Sequence, residues 1–323
     1  MPSSTPKIII FGAAGAVGRA AALEAESRGA QVTLAMRDID KPIPELIPEV
    51  EKQRNFKRIQ ADLSDPTSIQ RAVSDSQATA AFTYILPSAQ DGLLATFEAM
   101  KDAGITYVVL LSSYTIYQFG DAKSALEGSN AISALHAKAE LALAKSGLPY
   151  TALRPMYFAS NIKTLEDWEI IRNGSLEVGY PDAAFDYVAP EDVGTIAGAR
   201  LVEPPPSSGV HEVPICGPEL VVQRDAWGIV SKTLGISFKI EELDVEGLRG
   251  KFAKKGWPQP LVEANVVYVV NVARDPLYIY PTELYQEGST SHKRYTGKEP
   301  TKFSTWVERH KDELLSGEGR VIG

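Results

Sequence analysis

Cysteine is almost missing from this chain of 323 residues, with Cys216 standing alone. No internal disulfide can form, and no metal site can be built on cysteines. Long hydrophobic runs are missing as well. The apolar stretches extend over a few residues, against the roughly 20 needed to cross a bilayer, and no signal-like stretch follows Met1. Positive charge is in deficit: 33 lysines and arginines face 41 aspartates and glutamates, giving a net charge of −8 and a pI near 5.2. Such a surface repels phosphate backbones, so nucleic acid is not expected as a partner. His211, His292 and His310 lack metal-ligand spacing and no HExxH occurs, so no metal is expected. Without a Walker motif or a Gly-x-Ser-x-Gly elbow, ATPase and hydrolase readings fall away. What remains is ordinary globular composition, 44% hydrophobic and 23% charged, which excludes disorder as the main state. A soluble, cytoplasmic protein with a small-molecule substrate is expected, of about two domains by length.

The first half alternates short apolar runs with helical patterns. Strands are predicted at Lys7–Phe11, Val32–Met36, Phe56–Gln60, Ala78–Leu86 and Tyr107–Leu111, with a sixth beginning at Thr151–Leu153. Helices are predicted over Ala16–Arg28, near Ser68–Ser74, over Gln90–Ala103, and over Asn130–Ser146 capped by Ser129 and ended by Gly147. Pro42, Pro44 and Pro48 make Asp38–Pro48 an extended loop. This alternation predicts an α/β fold, a Rossmann-type doubly wound parallel sheet. After about Pro155 the rhythm loosens. The expected division is a nucleotide-binding domain over 1–155 and a smaller mixed α/β substrate domain over 156–323, contributing some elements back to the sheet. The Gly317–Gly323 tail reads as loose.

Three glycines mark the first strand-to-helix turn, in Gly12-Ala13-Ala14-Gly15-Ala16-Val17-Gly18. Gly12 permits a tight turn, Gly15 lets backbone approach a pyrophosphate, and Gly18 lets the helix pack on the strand. The helix N-terminus supplies free N–H groups to the anion, so Ala14, Ala16 and Val17 belong to the same site. At the end of the second strand an acid would bind the ribose diol of NAD, whereas an arginine accommodates the 2′-phosphate of NADP. Here stands Arg37, which favours NADP(H), with Arg19 able to assist; the alternative is a solvated surface residue. Asp62 and Leu63 are expected at the adenine, and Thr83–Pro87 after the fourth strand, Leu86 and Pro87 among them, at the nicotinamide half.

These residues, with Ala103-Gly104-Ile105 leading into Val108–Ser113, His136-x-x-x-Glu140, Ser146–Pro155, Asn161 and Asp186–Val193, resemble the NmrA-like family of atypical short-chain dehydrogenases. The resemblance covers most of the chain. It implies a Rossmann domain with NADP(H) in the cleft and a small C-terminal substrate domain. Members of the family include quinone reductases, ether and isoflavone reductases, and redox-sensing regulators without catalysis. Dimerisation is common in such folds, and a homodimer stays open because no interface signature is readable.

A typical short-chain dehydrogenase carries Tyr-x-x-x-Lys on the helix after the fifth strand, four residues apart on one face. Counting back from Gly147, those positions hold Ile132 and His136, so a mechanism needing that tyrosine is excluded. His136 would contact the cofactor ribose or donate a proton, oriented by Glu140, or be a structural histidine. Lys138 is expected to face solvent. Ser112, Ser113, Tyr114 and Tyr117 follow the fifth strand, where open α/β sheets bind ligands. Ser112 is assigned to the cofactor, Ser113 and Tyr114 to the substrate carbonyl, and Tyr117 to packing. Pro155, Tyr157 and Phe158 would edge the nicotinamide in an apolar slot, with Trp168, Tyr180, Phe185 and Trp227 extending the wall. Lys251–Lys255 reads as a solvated basic face. The expected activity is NADPH-dependent hydride transfer to a small hydrophobic electrophile: a quinone, enone, imine or benzylic centre. The alternatives are a non-catalytic NADP(H)-sensing regulator and a cofactor-retaining isomerase or other tailoring enzyme.

Overall fold

In the computed structural model, the described residues are 5–207 and 209–316, and the Gly317–Gly323 tail lies outside them. The first half reads β1 (Lys7–Phe11), α1 (Ala16–Ser27), β2 (Gln31–Met36), α2 (Pro48–Gln53), β3 (Lys57–Gln60), α3 (Pro66–Ser76) and β4 (Ala80–Tyr84). It continues with α4 (Leu94–Asp102), β5 (Tyr107–Leu111), a 3-10 turn at Tyr114–Phe119, α5 (Ala122–Glu127), α6 (Ala131–Ser146) and β6 (Tyr150–Pro155). The second half opens with α7 (Asn161–Thr164), α8 (Trp168–Arg172), β7 (Ser175–Gly179), β8 (Ala184–Phe185), α9 (Pro190–Val202) and β9 (Val210–Ile215). There follow β10 (Val221–Val222), α10 (Gln223–Leu234), β11 (Lys239–Leu243), α11 (Val245–Ala253), α12 (Gln259–Arg274), α13 (Thr282–Thr296), α14 (Phe303–Arg309) and α15 (Lys311–Ser316).

Seven parallel strands form one sheet in the order β3-β2-β1-β4-β5-β6-β9. Apolar strands buried on both faces need helices on both sides, and the core divides accordingly. Ile8, Ile10, Val109, Val193 and Ile196 fill one side, under α1 and α9; Ile9, Phe11, Val73, Phe97 and Leu143 fill the other, under α3, α4 and α6. The chain leaves β1 toward β2 and returns on its other side at β4. The carboxyl ends of β1 and β4 therefore flank the crevice where open sheets bind ligands. Beyond β6, α9 packs on α1 and β9 adds the seventh strand, so the second half completes the sheet. The remainder forms two small two-stranded sheets, β8 with β10 and β7 with β11, with helices around them.

Local chemistry moves several boundaries. β4 ends at Tyr84, short of the predicted Leu86. α4 starts at Leu94 rather than Gln90, because Gly92 and Leu93 take left-handed φ of 65° and 73° and the Asp91 carboxylate accepts the Leu93 and Ala95 N–H groups. Asn130, not Ser129, caps α6, accepting from Ile132 and Ser133 at 3.0 and 3.1 Å. The 3-10 turn and α5 carry too little apolar periodicity to be read in advance. Lys251 and Lys255 do not form a solvated face. Lys251 pairs with Glu166 at 2.6 Å and donates to the Glu177 carbonyl, while Lys255 donates to the Thr164 and Glu166 carbonyls, tying α11 to the segment around α8.

Candidate functional site

The glycine turn is built as a cradle. Gly12 has φ +74°, and a Cβ there would sit 2.6 Å from the Tyr84 ring; a Cβ on Gly18 would sit 2.4 Å from the Gly12 carbonyl oxygen. Both positions are closed to larger residues by contact. Gly15 is different: it is exposed, with φ −82° and only the Gly12 carbonyl oxygen, at 3.4 Å, near its absent Cβ. It is the N-cap of α1, no side chain caps the helix, and no acid occupies the first turn. Among the described residues the N–H groups of Ala16, Val17 and Gly18 therefore have no partner, as an anion at this helix end requires.

Arg37 is exposed at the end of β2, with no ion pair or side-chain hydrogen bond to a described residue. The loop after it is pinned independently, since Arg58 donates to the Lys41 carbonyl at 2.9 Å and pairs with Glu51. Arg19 does not join Arg37. It pairs with Glu45 at 3.3 Å, in the folded-back loop. Asp62, two residues past β3, has its carboxyl held below the usual range by the Ser64 N–H and hydroxyl, both donating to Oδ1, and by the Arg37 charge. Leu63 is core, with its carbonyl accepting from Thr96. Leu86 is half-buried and Pro87 exposed. Gly12–Gly18, Arg37, Asp62 and Tyr84 thus share one end of the sheet; Tyr84, within the segment expected at the nicotinamide half, has its ring against Gly12.

A buried ion pair lies beneath the carboxyl ends of β5 and β6, at the same end of the sheet. Arg154 and Glu140 are 1% and 2% exposed and meet through two hydrogen bonds, Nε to Oε1 at 3.1 Å and Nη2 to Oε2 at 2.7 Å. Arg154 also reaches Glu212 on β9 at 2.7 Å and stacks on the Tyr117 ring at 4.6 Å, while the Ser112 hydroxyl donates to Glu140. Glu140 is therefore consumed and does not orient His136. The His136 ring is half-buried, with Nδ1 out of water and without a partner among the described residues. Burial pushes its pKa down to about 4, so the imidazole is neutral near pH 7 and offers a neutral N–H rather than an imidazolium. The unfolded ring titrates near 6.5. The stability this site contributes is whole above pH 6.5 and is lost as pH falls toward 4. Denaturation of the natural chain against His136→Phe is expected to show a relative loss of about 3 kcal/mol between pH 7 and pH 4.

Ser113 caps the 3-10 turn, its oxygen accepting from the Thr115 N–H and hydroxyl. Tyr114 is 7% exposed and joins an aromatic wall. Its ring lies 5.9 Å from Tyr268 and 5.8 Å from Tyr280; Tyr157 lies 4.4 Å from Phe185 and 6.1 Å from Tyr268. Pro155 is buried, and Tyr157 and Phe158 are half-buried at the end of β6. Trp168 and Trp227 pack on each other instead, 6.2 Å apart. Asp186 is enclosed in the wall, accepting the Tyr157 and Gly217 N–H groups at 3.0 and 2.8 Å, and burial without a cation pushes its carboxyl up to about 7. Tyr268 and Asp186 carried no sequence signal of a site: one is a lone tyrosine among valines of α12, the other lies in a stretch noted only for its likeness to a family.

A family model described as NAD(P)H-binding matches residues 12–189. Among curated relatives, the nitrogen metabolite regulation-like protein bik4 of Gibberella fujikuroi is 32% identical over 317 residues, 94% of this chain and 96% of its own. The (4-alkanoyl-5-oxo-2,5-dihydrofuran-3-yl)methyl phosphate reductase of Streptomyces griseus is 29% identical over 80% of this chain and 84% of its own. Among solved structures, triphenylmethane reductase of Citrobacter sp. complexed with NADP(H) aligns at TM-score 0.66 and 15% identity, covering 94% of this chain and 99% of that one.

Proposed function

This chain belongs to the NAD(P)H-binding family, in its NmrA-like branch, and from that premise we propose that it is an NADPH-dependent oxidoreductase reducing a small, flat, hydrophobic electrophile. The observation that carries the proposal is that two surfaces stand at the carboxyl ends of strands of one parallel sheet. The open cradle at Gly15 lies at the end of β1, and the aromatic wall of Tyr114, Tyr157, Phe185 and Tyr268 lies at the ends of β5 and β6.

The cofactor is NADP(H), and the cradle fits it. The loop of Gly12, Ala14, Gly15, Ala16, Val17 and Gly18 receives the pyrophosphate on unpaired N–H groups. Arg37 meets the 2′-phosphate and Asp62 accepts from the adenine amine. Leu86, Pro87, Pro155, Tyr157 and Phe158 border the nicotinamide, and the neutral His136 N–H holds its ribose. Bound there, the dihydronicotinamide supplies a hydride. The chain's own part is to keep the acceptor flat against it in a slot without water, which shortens the approach and removes competing solvent. Iminium ions ask nothing of a protein acid, which suits a site with Ile132 in the tyrosine position.

NADPH oxidation, followed by nicotinamide absorbance against a panel of quinones, enones and cyclic imines, tests this reading. Consumption with one class supports it and names the substrate class; tight binding with no consumption favours a sensor of NADP(H). The likeness to bik4, whose name is that of a regulator-like protein, and the absent tyrosine speak for the sensor. For cofactor choice, Arg37→Ala is expected to lower the preference for NADPH over NADH by about tenfold or more, the worth of a charge-assisted contact, in fluorescence titrations of both. An unchanged preference would remove Arg37 from the site.

A further inference from the structure

Hydride addition to a neutral carbonyl leaves negative charge on its oxygen, and Ile132 has no hydrogen to offer it. A different hydroxyl stands ready. Tyr268 is 7% exposed, yet among the described residues its hydroxyl has no hydrogen-bond partner. The Tyr114 hydroxyl lies near it without meeting hydrogen-bond geometry. Buried polar groups are nearly always paired, so a lone hydroxyl in the interior calls for an explanation, and another molecule's polar atom supplies one. Its position agrees. The Tyr268 ring is stacked at 19° on Tyr157, which follows β6, and stands edge-on to Tyr114, which follows β5. It hangs from α12, so it reaches the sheet edge from outside the nucleotide-binding elements. Asp186, in the same wall, already has each oxygen occupied by a backbone N–H.

We propose that the Tyr268 hydroxyl is the donor to the acceptor's oxygen, taking the role left empty at Ile132; this rests on the reductase reading above. Burial raises its pKa well above 10, which keeps it protonated and able to donate throughout the working range. In the step it serves, a hydride with its electron pair passes from NADPH, which is oxidised to NADP⁺, to the electrophilic carbon. The π bond to oxygen, or the conjugated system ending in it, shifts its pair onto that oxygen. Tyr268 hydrogen-bonds the resulting anion, which takes its proton from water as product leaves. A cationic acceptor such as an iminium or triarylmethyl ion is discharged by the hydride alone and develops no such anion.

Tyr268→Phe separates these cases. The variant is expected to lose about 100-fold in kcat with a neutral quinone or enone, the usual effect of one oxyanion donor. With a cationic acceptor it is expected to stay within threefold of the natural chain. NADPH affinity is expected to be unchanged, and the melting temperature unchanged or raised, because only an unpaired buried hydroxyl is deleted. Equal rates with both acceptors, or equal losses with both, would overturn the proposal. Titration of the cofactor-free protein with a quinone and its deoxygenated analogue gives a second readout. The natural chain is expected to prefer the quinone by roughly tenfold and Tyr268→Phe to lose that preference; no preference in the natural chain would overturn the proposal. If the natural chain oxidises NADPH with neither acceptor, the reductase reading has failed, and this titration still decides whether Tyr268 receives a ligand oxygen.

Discussion

Gly15→Asp is expected to yield a folded protein that no longer holds NADPH. Gly15 has ordinary extended backbone, φ −82° and ψ 158°, which any residue adopts, and a Cβ there meets only one atom, at 3.4 Å. Aspartate at an N-cap accepts from the free N–H groups of the first turn and faces the positive helix end, worth about 1 kcal/mol to the protein without cofactor. Those same N–H groups are the ones proposed for the pyrophosphate. The carboxylate both occupies them and sets a like charge beside the diphosphate, at about 1–4 kcal/mol for charges some 4 Å apart near a surface. Together these predict NADPH binding weaker by about 100-fold or more, while the melting temperature holds or rises. Calorimetric titration and a thermal melt on one preparation measure both. Loss of binding accompanied by loss of fold would mean that the glycine is structural; binding unchanged would move the pyrophosphate away from this loop.

The second large effect concerns stability. Arg154→Met removes one half of an ion pair whose members are 1% and 2% exposed, leaving Glu140 buried with the Ser112 hydroxyl as its remaining partner. An uncompensated buried charge costs about 3–5 kcal/mol, which urea denaturation would read as a lower midpoint at unchanged slope. Adding Glu140→Leu to Arg154→Met removes the stranded charge and is expected to restore most of the loss. Glu212→Ala, which deletes a partner 42% exposed, is expected to cost no more than about 1 kcal/mol. A double variant as unstable as Arg154→Met would locate the cost in lost packing against Tyr117 instead.

The parallel sheet was legible because its strands are short β-branched runs and its helices stop at glycines. Lys7–Phe11, Gly29 and Gly147 sit where periodicity and turn chemistry put them. The cradle was legible for the same reason, since glycine spacing is a local signal. Position 136 could be found by counting along a helix, but its partner could not. Glu140 lies one turn away in sequence, yet a charged Arg154 arriving from β6 outcompetes a neutral imidazole for it. Arg19 was misread similarly, because pairing with Glu45 depends on how a proline-rich loop folds back. Tyr268 and Asp186 were hidden for a different reason. They come from the second half, where no regular strand–helix alternation orders the elements and the contacts that give them meaning lie more than a hundred residues back at Tyr114, or across loops with no periodicity.

The central claim is that a hydride leaves NADPH for a carbon held against the aromatic wall. It is tested most directly by supplying NADPH deuterated at its transferable C4 position together with a cyclic imine or an enone, whose new C–D bond does not exchange with water. Mass spectrometry of the product is expected to find one deuterium on the reduced carbon, with deuterium lost from the cofactor in equal amount. Cofactor that binds and is recovered with its label intact, from every electrophile of these classes, would contradict the account and leave a nucleotide-binding protein that does not reduce them.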